Sequence, residues 1–148
     1  MTLTSHYLVG VGAAIVFKNP LLALPVAFAS HFVLDALPHY GVPVGKSFRG
    51  KSIIRTSLID VPVFIFGVIL TFYNYPAWYF ISGIIAYSPD LAWIYRFTLK
   101  EKFGKIPPAP SNALNAFHST IQKHETERWW GILIEACLAV LLLGLLFL

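Results

Sequence analysis

The chain has 148 residues, 57% of them hydrophobic and only 12% charged. A soluble globular domain carries roughly 25% charged residues, so the composition argues against a water-solvated fold. The length fits a single domain, residues 1–148. The formal charge of +4 does not point to nucleic acid, because Lys and Arg sit between apolar runs, where they act as topology determinants facing anionic lipid. The one cysteine, Cys137, lies inside an apolar run, which leaves neither an internal disulfide nor a thiolate metal site.

Taken in chain order, Met1 to His6 holds no Lys or Arg. A cleavable signal peptide is therefore not expected, and the first helix is retained. The first apolar run, Leu3 to Phe17, stops at Lys18-Asn19-Pro20. The second, Pro20 to Leu37, stops at Pro38. The third runs from Asp60 to Tyr73, and Asn74-Tyr75-Pro76 turns into the fourth, Pro76 to Phe97. The fifth is Trp129 to Leu148. A hydrocarbon layer of ~30 Å needs roughly 20 residues per helix, so several runs are short, and the first reads as tilted or half-inserted. The competing reading is a soluble bundle with a very apolar core. Against it stands Gly131 to Leu148, apolar all round with Glu135 as its one charge, where an amphipathic helix would show a polar face. The expectation is an all-α, polytopic transmembrane bundle of about five spans with a short cytoplasmic surface helix.

Ten of the eleven Lys and Arg residues fall after the second and fourth runs or on their immediate flank: Lys46, Arg49, Lys51 and Arg55, then Arg96, Lys100, Lys102, Lys105, Lys123 and Arg128. Only Lys18 lies on the other side. With five spans, the positive-inside rule puts these regions and the N-terminus in the cytoplasm, as in a bacterial inner (plasma) membrane. Lys105 to Ser111 is a Pro-rich stiff linker. Ser111 is a helix N-cap for a short helix from Asn112 to about Thr126, with Leu114, Phe117, His118 and Ile121 on its inward face.

On this topology the ligand-type residues collect on one side. His6 starts span one, and His31, Asp35 and His39 end span two. Asp60 opens span three, Asp90 lies toward the cytoplasmic end of span four, His118 is on the surface helix, and Glu135 lies about 10 Å into span five. His31 and Asp35 are one helical turn apart and can reach one ion. His39, beyond Pro38, is too far from His31 to share it, so Asp35 would bridge two ions roughly 3.5–4 Å apart. Imidazole with carboxylate suits zinc, manganese or iron. Plainer roles stand beside these. Asp60 ahead of Val61-Pro62 is a helix cap or a ligand. Asp90 complements a helix restarting at Ser88-Pro89, or works as an intramembrane carboxylate. Glu135 pairs with a histidine, stays protonated, or joins the site. His6 is interfacial or a ligand. His124 and Glu125 belong to a solvated charge run.

Three stretches carry a resemblance: Thr4-Ser5-His6 ahead of a Gly-containing apolar helix, Ser30-His-Phe-Val-Leu-Asp-Ala-Leu-Pro-His-Tyr-Gly-Val-Pro43, and Ser88-Pro-Asp90. Together they resemble the bacterial inner-membrane metal-dependent hydrolase family, whose Ser-His-x-x-x-Asp element comes second in this chain. The resemblance implies His6, His31, Asp35 and Asp90 as metal-site residues, with Phe117-His118-Ser119 an echo of the family's His-Ser element. The expected function is a metal-dependent hydrolase, with zinc the first candidate ion, acting on a lipid or other membrane-borne phosphoester. Asp90 or Glu135 would be the general base, and Lys46, Arg49 or Lys51 would hold phosphate. The other readings are an ion-conducting relay, a bis-His haem protein, or a non-catalytic scaffold subunit.

The orientation is testable in intact cells. Cysteines placed at Ser47 and Ser111 are expected to resist a membrane-impermeant thiol reagent added from outside; ready labelling of either would reverse the topology.

Overall fold

A computed structural model describes residues 1–40, 50–103, 113–121, 125–126 and 129–147. Six helices account for nearly all of it: α1 (Leu3–Phe17), α2 (Pro20–Ala36), α3 (Gly50–Asn74), α4 (Ala77–Phe103), α5 (Ala113–Ile121) and α6 (Trp129–Leu145). Between them, β1 (His39–Tyr40) pairs in parallel with β2 (Glu125–Thr126), His39 opposite Glu125. The fold is thus all-α apart from this short bridge.

Local chemistry explains the helix ends. Lys18 closes α1 in the left-handed region, φ 51°. Asn19 caps α2 by accepting from Leu21 N at 2.9 Å, and Pro20 fills the first helical position, where its missing N–H costs nothing. Pro38 disfavours helix at the residue before it, and Leu37 is extended at ψ 150°. The five long helices alternate in direction. His6 of α1 meets His31 of α2 at one end, and the Tyr75 hydroxyl reaches the Leu145 and Leu146 carbonyls at the other.

Helix α1 is the axis, packed against α2, α3, α4 and α6. Its approach to α4 depends on small residues. A Cβ on Gly10 would lie 2.5 Å from Ser82 O and 2.7 Å from Ala86 Cβ, and one on Gly83 would lie 2.4 Å from the Tyr7 ring. Ser82 Oγ donates to Gly10 O at 2.7 Å across this seam. Ala13, Ala27 and Ala86 form a buried contact of α1, α2 and α4. Ala27 and Ala86 lie one helical turn from His31 and Asp90, so the thinnest side chains in the bundle sit next to the functional ones.

Many large apolar side chains are exposed, and several polar ones are buried beside the apolar core of Tyr7, Leu8 and Val11. Leu58, Ile59, Ile65, Phe66, Ile69 and Phe72 of α3 are exposed, as are Leu21, Leu22 and Val33 of α2 and Ile132, Leu133, Val140 and Leu141 of α6. Buried positions include Thr4, Ser5, His6, His31, Asp35, Thr71, Ser82, His118 and Glu135.

Several expectations need correction. Among the described residues only α3, over Ser57–Asn74, is long and apolar enough to cross a membrane; α1, α2 and α6 have 15, 17 and 17 residues. Helix α3 begins at Gly50, ten residues before Asp60, because scattered polar residues do not stop a helix as Pro or Gly does. Helix α4 does not restart at Pro89 but runs through it. Proline removes the amide that would bond the carbonyl four residues back, and Ser88 Oγ donates to that carbonyl, Ile85 O, at 2.8 Å. The surface helix ends at Ile121, because Glu125 and Thr126 pair with β1 instead. Ser47, Lys46, Arg49, Lys105, Ser111, Asn112, Lys123, His124 and Arg128 lie outside the described residues.

The α1–α4 seam makes a paired prediction. Gly10→Ala forces a Cβ against backbone and is expected to destabilise the protein by about 1–3 kcal/mol. Gly12→Ala meets only Leu145 Cδ1 at 3.9 Å and is expected to be neutral or stabilising by up to about 1 kcal/mol, through helix propensity. Thermal unfolding of the two variants side by side checks this; equal effects would refute the close seam.

Candidate metal centre

The first turn of α1 sets up the site. A helix leaves four N-terminal amides without intrahelical partners, and here each is taken. Glu135 Oε2 accepts from Thr2 N at 3.1 Å, Asp60 Oδ2 from Leu3 N at 3.0 Å, and Asp60 Oδ1 from Thr4 N at 3.2 Å. The Thr2 hydroxyl accepts from Ser5 N at 3.4 Å. Thr4 Oγ1 also donates to Asp60 O at 3.0 Å. Two carboxylates at the positive end of a helix dipole are favourably placed. They hold the turn that carries His6.

Against that turn, α2, α4 and α5 bring four ligand-type side chains together. One ligand atom from each of His31, Asp35, Asp90 and His118 lies within 4.8 Å of all the others. Asp35 Oδ2 is 2.7 Å from His118 Nε2 and 3.3 Å from His31 Nε2. The two imidazole nitrogens are 3.1 Å apart. Asp90 Oδ1 stands 3.7 Å from His31 Nε2 and 3.9 Å from His118 Nε2. Around an ion with bonds of ~2.0–2.1 Å, the edges of a tetrahedron are roughly 3.3–3.4 Å, which is the middle of this range. The cluster can hold a metal ion.

The imidazoles are oriented for that task. His31 Nδ1 is 3.0 Å from the Ala86 carbonyl. A carbonyl only accepts, so Nδ1–H donates to it, which leaves Nε2 as the ring nitrogen turned toward the cluster. Phe32 meets the edges of both His31 and His118, and Phe117 packs on Phe32. Those ring contacts dock α5 on α2 and carry His118 to Asp35. Asp35 and His31 are wholly buried, whereas the Asp90 side chain is 19% exposed, so Asp90 is the open side of the site.

His6 adjoins the same group, its Nε2 3.2 Å from Asp35 Oδ1 and 3.7 Å from Asp90 Oδ2. The Met1 ammonium also reaches Asp35 Oδ1, at 2.8 Å. Other sequence candidates lie elsewhere. His39 is buried on β1, donates Nδ1–H to Leu37 O at 2.8 Å, and is not part of the converging group. Glu135 commits its second oxygen to Tyr40 N at 2.8 Å, so both its oxygens bind backbone rather than face the cluster. Asp60 is a cap, as one reading held, but for α1 and not for its own helix. The Ala86 carbonyl was invisible to sequence reasoning, since every residue has one.

No family model, curated protein or solved structure matches the chain.

Removing the bracing carboxylate separates structure from site. Glu135→Ala orphans two backbone amides and is expected to cost about 1–3 kcal/mol, while metal content per folded chain stays as in wild type. Unfolding midpoints and elemental analysis on the same preparation check both; loss of metal at unchanged stability would put Glu135 in the site.

Proposed function

We propose that the chain is a multi-pass membrane protein, a metal-dependent hydrolase whose site lies at the cytoplasmic face and cleaves a lipid or other membrane-borne phosphoester. The observation that carries this reading is the convergence of His31, Asp35, Asp90 and His118 at one end of a bundle whose outer faces are apolar. Ionisable groups at membrane depth are costly and functional by default.

The membrane part is supported by the outward apolar faces of α2, α3 and α6, the buried polar side chains, and the small-residue seam, a feature of helix association in lipid. The 15 to 17 residues of α1, α2 and α6 reach roughly 22–26 Å at 1.5 Å per residue, a length that a tilted third helix and local thinning of the bilayer accommodate. The complete capping of α1 fits a setting where water cannot satisfy stray amides. Lys46, Arg49 and Lys51, after span two, supply positive charge for an anionic headgroup.

Zinc is the first candidate ion, with manganese and iron compatible with the same donors. A divalent ion supplies a Lewis acid for the phosphoryl oxygen and lowers the pKa of bound water. The chain's own part is to position that ion and move a proton. Asp35 and the two imidazoles form the tight side of the site. Asp90, at longer distances and partly exposed, accepts a proton from the attacking water as its oxygen bonds to phosphorus. The phosphorus–oxygen ester bond breaks, and the leaving oxygen takes a proton from solvent. A conducting relay is less well supported, because the described buried ionisable groups gather at one end and leave no path of them through the bundle.

Gentle purification in detergent followed by elemental analysis is expected to find divalent metal, and His31→Ala or Asp35→Ala to remove most of it. Asp90→Asn is expected to abolish hydrolysis of bis(p-nitrophenyl) phosphate and of phospholipid in mixed micelles, with helicity unchanged by circular dichroism. Bound metal without hydrolysis would favour the scaffold reading; no metal at all would end the hydrolase reading.

A further inference from the structure

The four-residue group uses one oxygen from each carboxylate. The other two oxygens, Asp35 Oδ1 and Asp90 Oδ2, turn toward His6 Nε2, at 3.2 and 3.7 Å. His6 is completely buried, stacks on His31 with ring centroids 4.2 Å apart, and neither of its nitrogens makes a hydrogen bond. A buried polar group left without a partner costs about 1–3 kcal/mol. Its Nε2 instead points at Asp35 Oδ1, which the Met1 ammonium also reaches at 2.8 Å, and at Asp90 Oδ2.

We propose that the cluster is a two-metal centre, with a second divalent ion held by His6 Nε2, Asp35 Oδ1 and Asp90 Oδ2, and with Asp35 and Asp90 bridging the pair. This rests on the metal reading above and extends it. Carboxylate-bridged ions of this kind lie roughly 3.5–4 Å apart, a separation that the two oxygens of one carboxylate span. The two positions are unequal. The first has four protein ligands; the second has three, which leaves more room for a water or substrate oxygen. Asp90, which carries the exposure of the cluster, borders that second position.

Charge is compatible with this. Two carboxylates balance one divalent ion, and the Met1 ammonium, 2.8 Å from Asp35 Oδ1, adds one positive charge. A second ion would take the place of that ammonium at Asp35 Oδ1 and make the centre more strongly cationic, which suits a phosphoester.

The test is manganese loading of the full-length protein in detergent, with free ion removed, read by elemental analysis and electron paramagnetic resonance. Two manganese ions per chain and an exchange-coupled spectrum are expected in wild type. His6→Ala is expected to halve the stoichiometry and restore an isolated-ion spectrum. His118→Ala, which strips the first position, should also abolish the coupling. One ion per chain with an isolated-ion spectrum in wild type, unchanged by His6→Ala, would overturn the two-metal proposal. The single-ion hydrolase reading would then stand, with the Met1 ammonium as the charge partner of Asp35 Oδ1. Wild type that binds no manganese, zinc or iron would overturn both. Stoichiometry and spectrum of wild type decide the matter even if the His6 variant does not fold.

Discussion

A carboxylate with no exposure, Asp35, has to be compensated where it stands. Burying an unpaired charge costs several kcal/mol, and nearby apolar side chains offer nothing in return. The compensation comes from distant parts of the chain: His6 from α1, His118 from α5 and the Met1 ammonium, with His31 from its own helix. Each contact ties an element to the end of α2. Removing Asp35 would therefore release the start of α1 and the docking of α5 together, and the site cannot be separated from the packing of that end of the bundle.

Asp35, Asp60, Asp90 and Glu135 divide into two pairs by what they face. Asp60 and Glu135 meet backbone amides at the start of α1 and the amide of Tyr40. Asp35 and Asp90 meet imidazole nitrogens. The division has a physical logic. A carboxylate committed to backbone amides fixes the helix end that donates them, and one facing imidazoles stands among groups that could hold an ion together with it. The bracing pair also holds the first turn of α1, which places His6 Nε2 beside Asp35 Oδ1 and Asp90 Oδ2.

Close helix approach serves the same end. Gly10, Gly83 and the alanine contact of Ala13, Ala27 and Ala86 bring α1, α2 and α4 near enough for side chains of ordinary length to meet. Pro89 interrupts the hydrogen bonding of α4 in this region, and Ser88 repairs it locally. One residue on, the carbonyl of Ala86 is used by His31. A backbone feature that a sequence suggests as a break is therefore a place where the helix continues and lends an acceptor to the site.

Much of the helical architecture was legible because it depends on local chemistry. Leu3–Phe17 is bounded by Lys18-Asn19-Pro20, Pro38 ends α2, and His31 and Asp35 share a helix face at any tertiary arrangement. The start of α3, the continuity of α4 and the early end of α5 were not legible, since a polar residue inside a helix and one at its end look alike until the partner is known. The same limit hid the roles of the acids. In sequence Asp60, Asp90 and Glu135 are three carboxylates beside apolar runs; only the tertiary structure decides that two of them meet amides of α1 and one meets His31. A side chain's type is written locally, but its partner arrives from another helix, and that partner determines whether its lone pairs are spent on the fold or left for chemistry.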